Sequence, residues 1–205
     1  MNEPPGFPSF TAFTIGPIEP SHRSRIAAIL RSTENFRDDE VAVALELFDA
    51  SFGGDDYIVI GAFQRETGDG RRETANAGSD QRSAPSPASR LPSPALVGFA
   101  IYGPTMGTDR TYDLYWIAVD RAAHGTGCGS ALLSEVERRL EALHARMLVI
   151  ETSSRSDYAA TRTFYLRRGY VEAARIREFY ARQDDRIILT KRLAGSPREG
   201  WGAVA

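Results

Sequence analysis

Between Asp113 and Leu133 the chain reads DLYWIAVDRAAHGTGCGSALL, and three glycines, Gly125, Gly127 and Gly129, alternate at the head of a helix-patterned run. Glycine adopts positive φ without steric cost and leaves main-chain N–H groups uncovered by side chains. A helix start adds unpaired N–H donors and the positive end of the helix dipole. The chemistry this residue set supports is capture of a phosphate. Its spacing excludes the two commonest phosphate loops. A P-loop needs Lys and then Ser or Thr after its last glycine, whereas Ser130 and Ala131 follow Gly129. A dinucleotide fingerprint would need glycine where Ser130 or Leu132 stands. His124 suits a phosphate salt bridge or a surface cap of the turn. Cys128, beside a helix start, reads as a nucleophile by position or, with no His and acid partner in pattern, as a small packing residue.

The run His124-Gly125-Thr126-Gly127-Cys128-Gly129, preceded by the strand end Ile117-Ala118-Val119, resembles the Gln/Arg-x-x-Gly-x-Gly/Ala loop of the GCN5-related N-acetyltransferases, with His in place of Gln or Arg. Downstream, Thr161 to Tyr170 (TRTFYLRRGY) is similar to that family's second motif, a helix with Phe/Leu-Tyr that ends in Gly-Phe/Tyr. The resemblance spans residues 11–193 and implies acetyl-CoA as cosubstrate. Its pyrophosphate would lie on the main chain of His124 to Ser130, with Thr126 and Cys128 included, and its pantetheine along Ile117, Ala118 and Val119. It also implies a fold: an α/β domain with a mixed central β-sheet flanked by helices.

The family's catalytic positions map onto Tyr165 and Asp113. A tyrosine at this point of the helix reaches the cofactor sulfur, and a phenol with a pKa near 10 can protonate a leaving thiolate; Phe164 then takes the core. Asp113 lies eleven residues before His124, the offset of the glutamate in the histone-modifying members, and would take the amine proton directly or through water. Its other reading is a strand end beside a solvated loop. Alternation puts Asp113, Tyr115 and Ile117 on one face and Leu114, Trp116 and Ala118 on the other, which makes Tyr115 a second candidate. Phe36 with the acidic residues near it, Tyr158, Thr161, Arg162 and the run Arg177 to Asp185 read as acceptor contacts or as solvated surface.

The reaction implied is transfer of acetyl to a primary amine, small molecule or peptide, by direct attack in a ternary complex. The alternative is a non-catalytic acyl-CoA-binding or regulatory module. The identity of the amine, the oligomeric state and the choice between Asp113 and a water relay are left open, and no metal is expected.

Positioning these groups takes one domain. The 205 residues carry 25 basic against 27 acidic side chains, which gives no field for nucleic acid or anionic lipid. No apolar run reaches membrane-span length and the first residues show no leader pattern, so a cytoplasmic protein without membrane contact is expected, in keeping with a single cysteine. Residues 1–10 are Pro-rich and expected to be flexible. FTIGPI, within 11–18, reads as a strand. Ser21 is placed to cap a helix bearing Ile26, Ile29 and Leu30, and Asp38-Asp39-Glu40 open a second with Val41, Leu45, Phe48 and Phe52 on its stripe, stopped at Gly53-Gly54. Strands follow at 57–63, 95–102 (with a turn at Gly103-Pro104) and 111–119. Between the first two of these, residues 64–94 hold one large aliphatic, Leu91, and read as a disordered insertion. A helix with Leu132, Leu133, Val136, Leu140 and Leu143 buried comes next, then a strand at 147–151, the motif helix, strands at 171–176 and 186–190, and a flexible tail at 194–205.

Overall fold

Runs of β-branched and aromatic residues alternate here with helical stripes, and a computed structural model, which describes residues 13–64 and 94–194, folds them into one mixed sheet with helices on both faces. The order is β1 (Phe13–Pro17), α1 (Arg23–Ser32), α2 (Asp38–Ala50), β2 (Ile58–Gln64), β3 (Ala95–Pro104), β4 (Thr111–Val119), α3 (Cys128–Ala142), β5 (Met147–Ser153), α4 (Ala159–Leu166), β6 (Val171–Ala181) and β7 (Asp184–Arg192). The sheet runs β1-β2-β3-β4-β5-β7-β6, antiparallel except between β4 and β5, which the α3 crossover joins in parallel.

One face is covered by α3 and α4, whose Leu132, Leu133, Val136, Leu140 and Tyr165 pack with Leu114, Leu148, Ile150 and Leu189 of the sheet. The other is covered by α1 and α2, where Ile26, Ile29, Val41 and Phe48 meet Phe99, Ile101 and Ala118. β3, between them, is buried along nearly its whole length, as its continuous apolar run requires.

Two departures from plain pairing shape the site. The register of β3 with β4 passes from Ile101↔Trp116 to Tyr102↔Leu114, so Tyr115 is an extra residue, a β-bulge. Beyond it β4 and β5 part: they pair only from Thr111↔Met147 to Leu114↔Ile150, although β4 continues to Val119 and β5 to Ser153.

The bulge corrects the face assignment. Tyr115 joins Trp116 and Ala118 on the α1–α2 side, while Ile117 joins Leu114 on the α3 side. Local expectations change too. Ser21 does not cap α1 but lies in a 3-10 turn, Pro20–His22, ahead of it. Phe52 and Leu143 fall just past the ends of α2 and α3 and are exposed. β3 runs on through Gly103-Pro104, and β6 and β7 are longer than expected. The expectations for residues 1–10, for nearly all of the 64–94 insertion and for the tail after Ala194 lie outside the described residues.

Candidate active site

After Val119 the chain makes a 3-10 turn, Arg121–Ala123, and then the glycine loop. Asp120 fixes this corner. Its carboxylate accepts from the Ala122 N–H at 2.9 Å and from Arg25 Nη2 of α1 at 2.6 Å, while Arg25 Nε donates to the Leu96 carbonyl at 2.8 Å. Burial alone would raise the Asp120 carboxyl, but these two donors outweigh it and hold it below the usual carboxylate range. Gly125 and Gly127 take φ of 76° and 89°, the left-handed region, and Gly127 is the residue that caps α3. A Cβ built on either would meet nothing within 4 Å. Among the described residues no main-chain acceptor takes the N–H of Gly125, Thr126, Gly127, Cys128, Gly129 or Ser130. Open space faced by free donors at a helix start is what a pyrophosphate needs.

The side chains around this loop have structural roles. His124 Nε2 lies 2.9 Å from the Val119 carbonyl and donates to it, so the imidazole ties the loop back to the strand end. Thr126 turns its hydroxyl to the Ala123 carbonyl at 2.6 Å. Cys128 is buried under Gly98 and its thiol is pushed up to about 11, the opposite of an activated nucleophile. Ser130 receives a hydrogen bond from Arg168, whose guanidinium lies 3.7 Å from the centre of the Phe164 ring.

The parting of β4 and β5 opens a cleft of about 1040 Å³ that runs from the glycine loop to the α1–α2 loop. It collects Asp113, Ile117, Ala118, Val119, His124, Gly125, Gly127, Cys128, Gly129, Ser130 and Tyr165; of the residues singled out from sequence for cofactor and catalysis, only Thr126 does not line it. Past Leu114 the main chain of β4 has a strand neighbour on the β3 side only. Two polar atoms in the walls, Trp116 Nε1 and Thr152 Oγ1, are buried without a partner, as expected where a ligand supplies the missing half. Free N–H groups, an open strand edge and orphaned polar atoms together fit an acyl-CoA.

Tyr165 is 3 % exposed, stacks edge to face on Phe164 and Tyr170, and reaches the cleft wall with no hydrogen-bond partner for its hydroxyl among the described residues. Burial pushes its phenol well above the ordinary value. Tyr165, and not Phe164, is thus the deeper of the pair. Gly169, at φ 84°, ends α4 and lets the Tyr170 N–H return to the Tyr165 carbonyl at 3.3 Å, which holds the motif helix at its last turn. Asp113 accepts from Thr105 Oγ1 at 2.7 Å and sits one residue before the strands part.

Phe36, Asp39, Glu40, Tyr158, Thr161, Tyr180 and Asp184 form the far half. Arg162 stays out of it and donates to the carbonyls of Ser153 and Arg155. The Tyr158 hydroxyl donates to the Asn35 carbonyl at 3.1 Å, linking the two sides of the cleft, and burial followed by the nearby Glu40 carboxylate pushes it up to about 12. Thr152 and Ser153 gave no sequence signal, since hydroxyls at a strand end are commonplace.

A family model described as an acetyltransferase (GNAT) domain matches residues 94–172. Among solved structures, a GNAT-family protein from Desulfovibrio desulfuricans is 32% identical over 89% of this chain and 100% of that one, with a TM-score of 0.70. The ribosomal-protein-S18-alanine N-acetyltransferase of Escherichia coli superposes with a TM-score of 0.63 at 21% identity, over 93% and 99% of the two chains. The yncA protein of Salmonella typhimurium, solved with its cofactor acetyl-CoA, gives 0.60 at 17% identity over 89% and 94%. No curated protein matches. With a cleft that fits acyl-CoA and a relative at this identity over this length, the chain belongs to the GNAT family of N-acetyltransferases, with acetyl-CoA as cosubstrate.

Proposed function

We propose that the cleft moves an acetyl group from acetyl-CoA to a primary amine by direct attack in a ternary complex. The observation that carries this is the parting of β4 from β5 at Leu114 and Ile150, with phosphate-binding N–H groups at one end, Tyr165 in the wall and a separate polar and aromatic half beyond. The cosubstrate supplies a thioester carbonyl activated toward nitrogen nucleophiles.

The residues do the rest. The N–H groups of Gly125 to Ser130 hold the pyrophosphate, and the open edge of Ile117 to Val119 receives the pantetheine amides as a strand would. Asp113 accepts the proton that the acceptor ammonium must lose before its nitrogen can form the new C–N bond. As the C–S bond breaks, Tyr165 gives its proton to the sulfur, and the second proton, which the nitrogen sheds on becoming an amide, restores the phenol. Burial keeps the phenol neutral and loaded, and it raises the basicity of a thiolate formed in the same wall as well. The acceptor enters from the side of Phe36 and Tyr180.

Free-thiol release from acetyl-CoA, followed across a panel of primary amines, tests the reading. Amine-dependent release is expected; release with none of them, from protein shown by calorimetry to bind acetyl-CoA, overturns it in favour of a binding module.

A further inference from the structure

We infer that Asp184 binds a second positive charge on the acceptor, so that the substrate is a small amine with two cationic groups roughly 13 Å apart, the length of four strand residues. The inference rests on the amine-acceptor reading above and adds the substrate class.

Five carboxylates line the cleft: Asp39, Glu40, Asp113, Glu151 and Asp184. Three of them are ion-paired: Asp39 and Glu40 share Arg37, and Glu151 has Arg186. The lining Arg155 is occupied by Asp157. That leaves Asp113 and Asp184, neither of which has an ion-pair partner among the described residues. Asp184 is 6 % exposed. Its one hydrogen-bond donor among the described residues is the neutral hydroxyl of Ser153, on Oδ1, which orients the carboxylate, while Arg155, held by Asp157, attracts it only at longer range and forms no ion pair with it. A buried charge is normally paired, because taking it out of water costs several kcal/mol. Two unpaired carboxylates in the wall of one cleft are completed by two cations on one ligand.

Their separation follows from the strands. Asp113 pairs with Val149, just before β4 and β5 part, whereas Asp184 is tethered to Ser153, four residues along β5 from Val149. Phe36, Val149 and Tyr180 line the same cleft and suit a methylene chain. Thr152, also 6 % exposed and without a hydroxyl partner among the described residues, lines the same cleft.

The probes are 1,9-diaminononane and nonylamine, which share a reacting end and differ in the second charge. With wild-type protein, kcat/KM for the diamine should exceed that for the monoamine by about tenfold or more, the worth of one charged hydrogen bond in a dry site. Asp184→Asn should lose that advantage through KM, with nonylamine turnover and calorimetric acetyl-CoA affinity unchanged. Equal loss on both amines would make Asp184 structural or catalytic, and an unchanged diamine preference would clear it of any role; either result overturns the inference. Calorimetry of both amines on the wild-type complex with coenzyme A needs no variant and no turnover. Tighter binding of the diamine supports the second cation site and equal affinity overturns it, even where absent thiol release has already overturned the proposed reaction.

Discussion

At Tyr165 packing and chemistry pull on the same side chain. The ring fills the core under α4, and among the described residues no group bonds its hydroxyl. Tyr165→Phe should therefore melt with the wild type while turnover on the best amine falls by roughly 10² to 10⁴, the usual worth of general acid catalysis. Full turnover in that variant would remove Tyr165 from the mechanism. Gly127 invites the complementary change. A side chain there is strained by φ 89° at a cost of about 1–2 kcal/mol and projects into the space a pyrophosphate would fill. Calorimetry of Gly127→Val should show acetyl-CoA binding largely lost in a folded protein, and unchanged affinity would reject the loop as the phosphate site.

At the scale of elements, the amphipathic helices and the glycine corner were readable because each is a local pattern. What escaped depends on partners far along the chain. The bulge at Tyr115 exists only in the register of β4 against β3, so strict alternation through β4 put Tyr115 and Trp116 on opposite faces when both point toward α1 and α2. Asp184 and Asp185 are indistinguishable by type and neighbours. The pleat sends one to Ser153 and the cleft and the other to Arg175 at the surface. Helix α3, which carries the loop, has a measurable tie of its own. Glu135 accepts from both Arg138 and Arg139 at 2.8 Å, and these bonds hold its carboxyl down at about 2. A depressed carboxyl stabilises the fold above its unfolded pKa and loses that contribution as pH falls toward the folded one. Glu135→Gln should then lower stability by about 1 kcal/mol near neutrality, since Arg138 is largely solvent-exposed. Melting curves of the two proteins should converge as pH drops from about 4.5 to about 2. A gap that persists at the acid end would mean that Glu135 acts by packing.

Over the whole molecule, the described residues form the complete seven-stranded sheet and its four helices, and no helix among them is long and apolar enough to cross a membrane. The sheet closes without help from the long polar stretch between β2 and β3, because Gln64 already pairs with Ala95. We propose that residues 66–93 are dispensable to the domain. Their composition, with Leu91 as the one large aliphatic, offers nothing to bury against the core. Closing two strand ends that are already neighbours takes a turn of a few residues, and each halving of a loop returns about 0.6 kcal/mol of closure entropy. Replacing 66–93 by a short Asn-Gly turn should leave the melting temperature unchanged or a little higher and acetyl-CoA affinity the same. A fall of several degrees, or weaker acetyl-CoA binding, would show that this stretch packs on the domain or reaches its cleft.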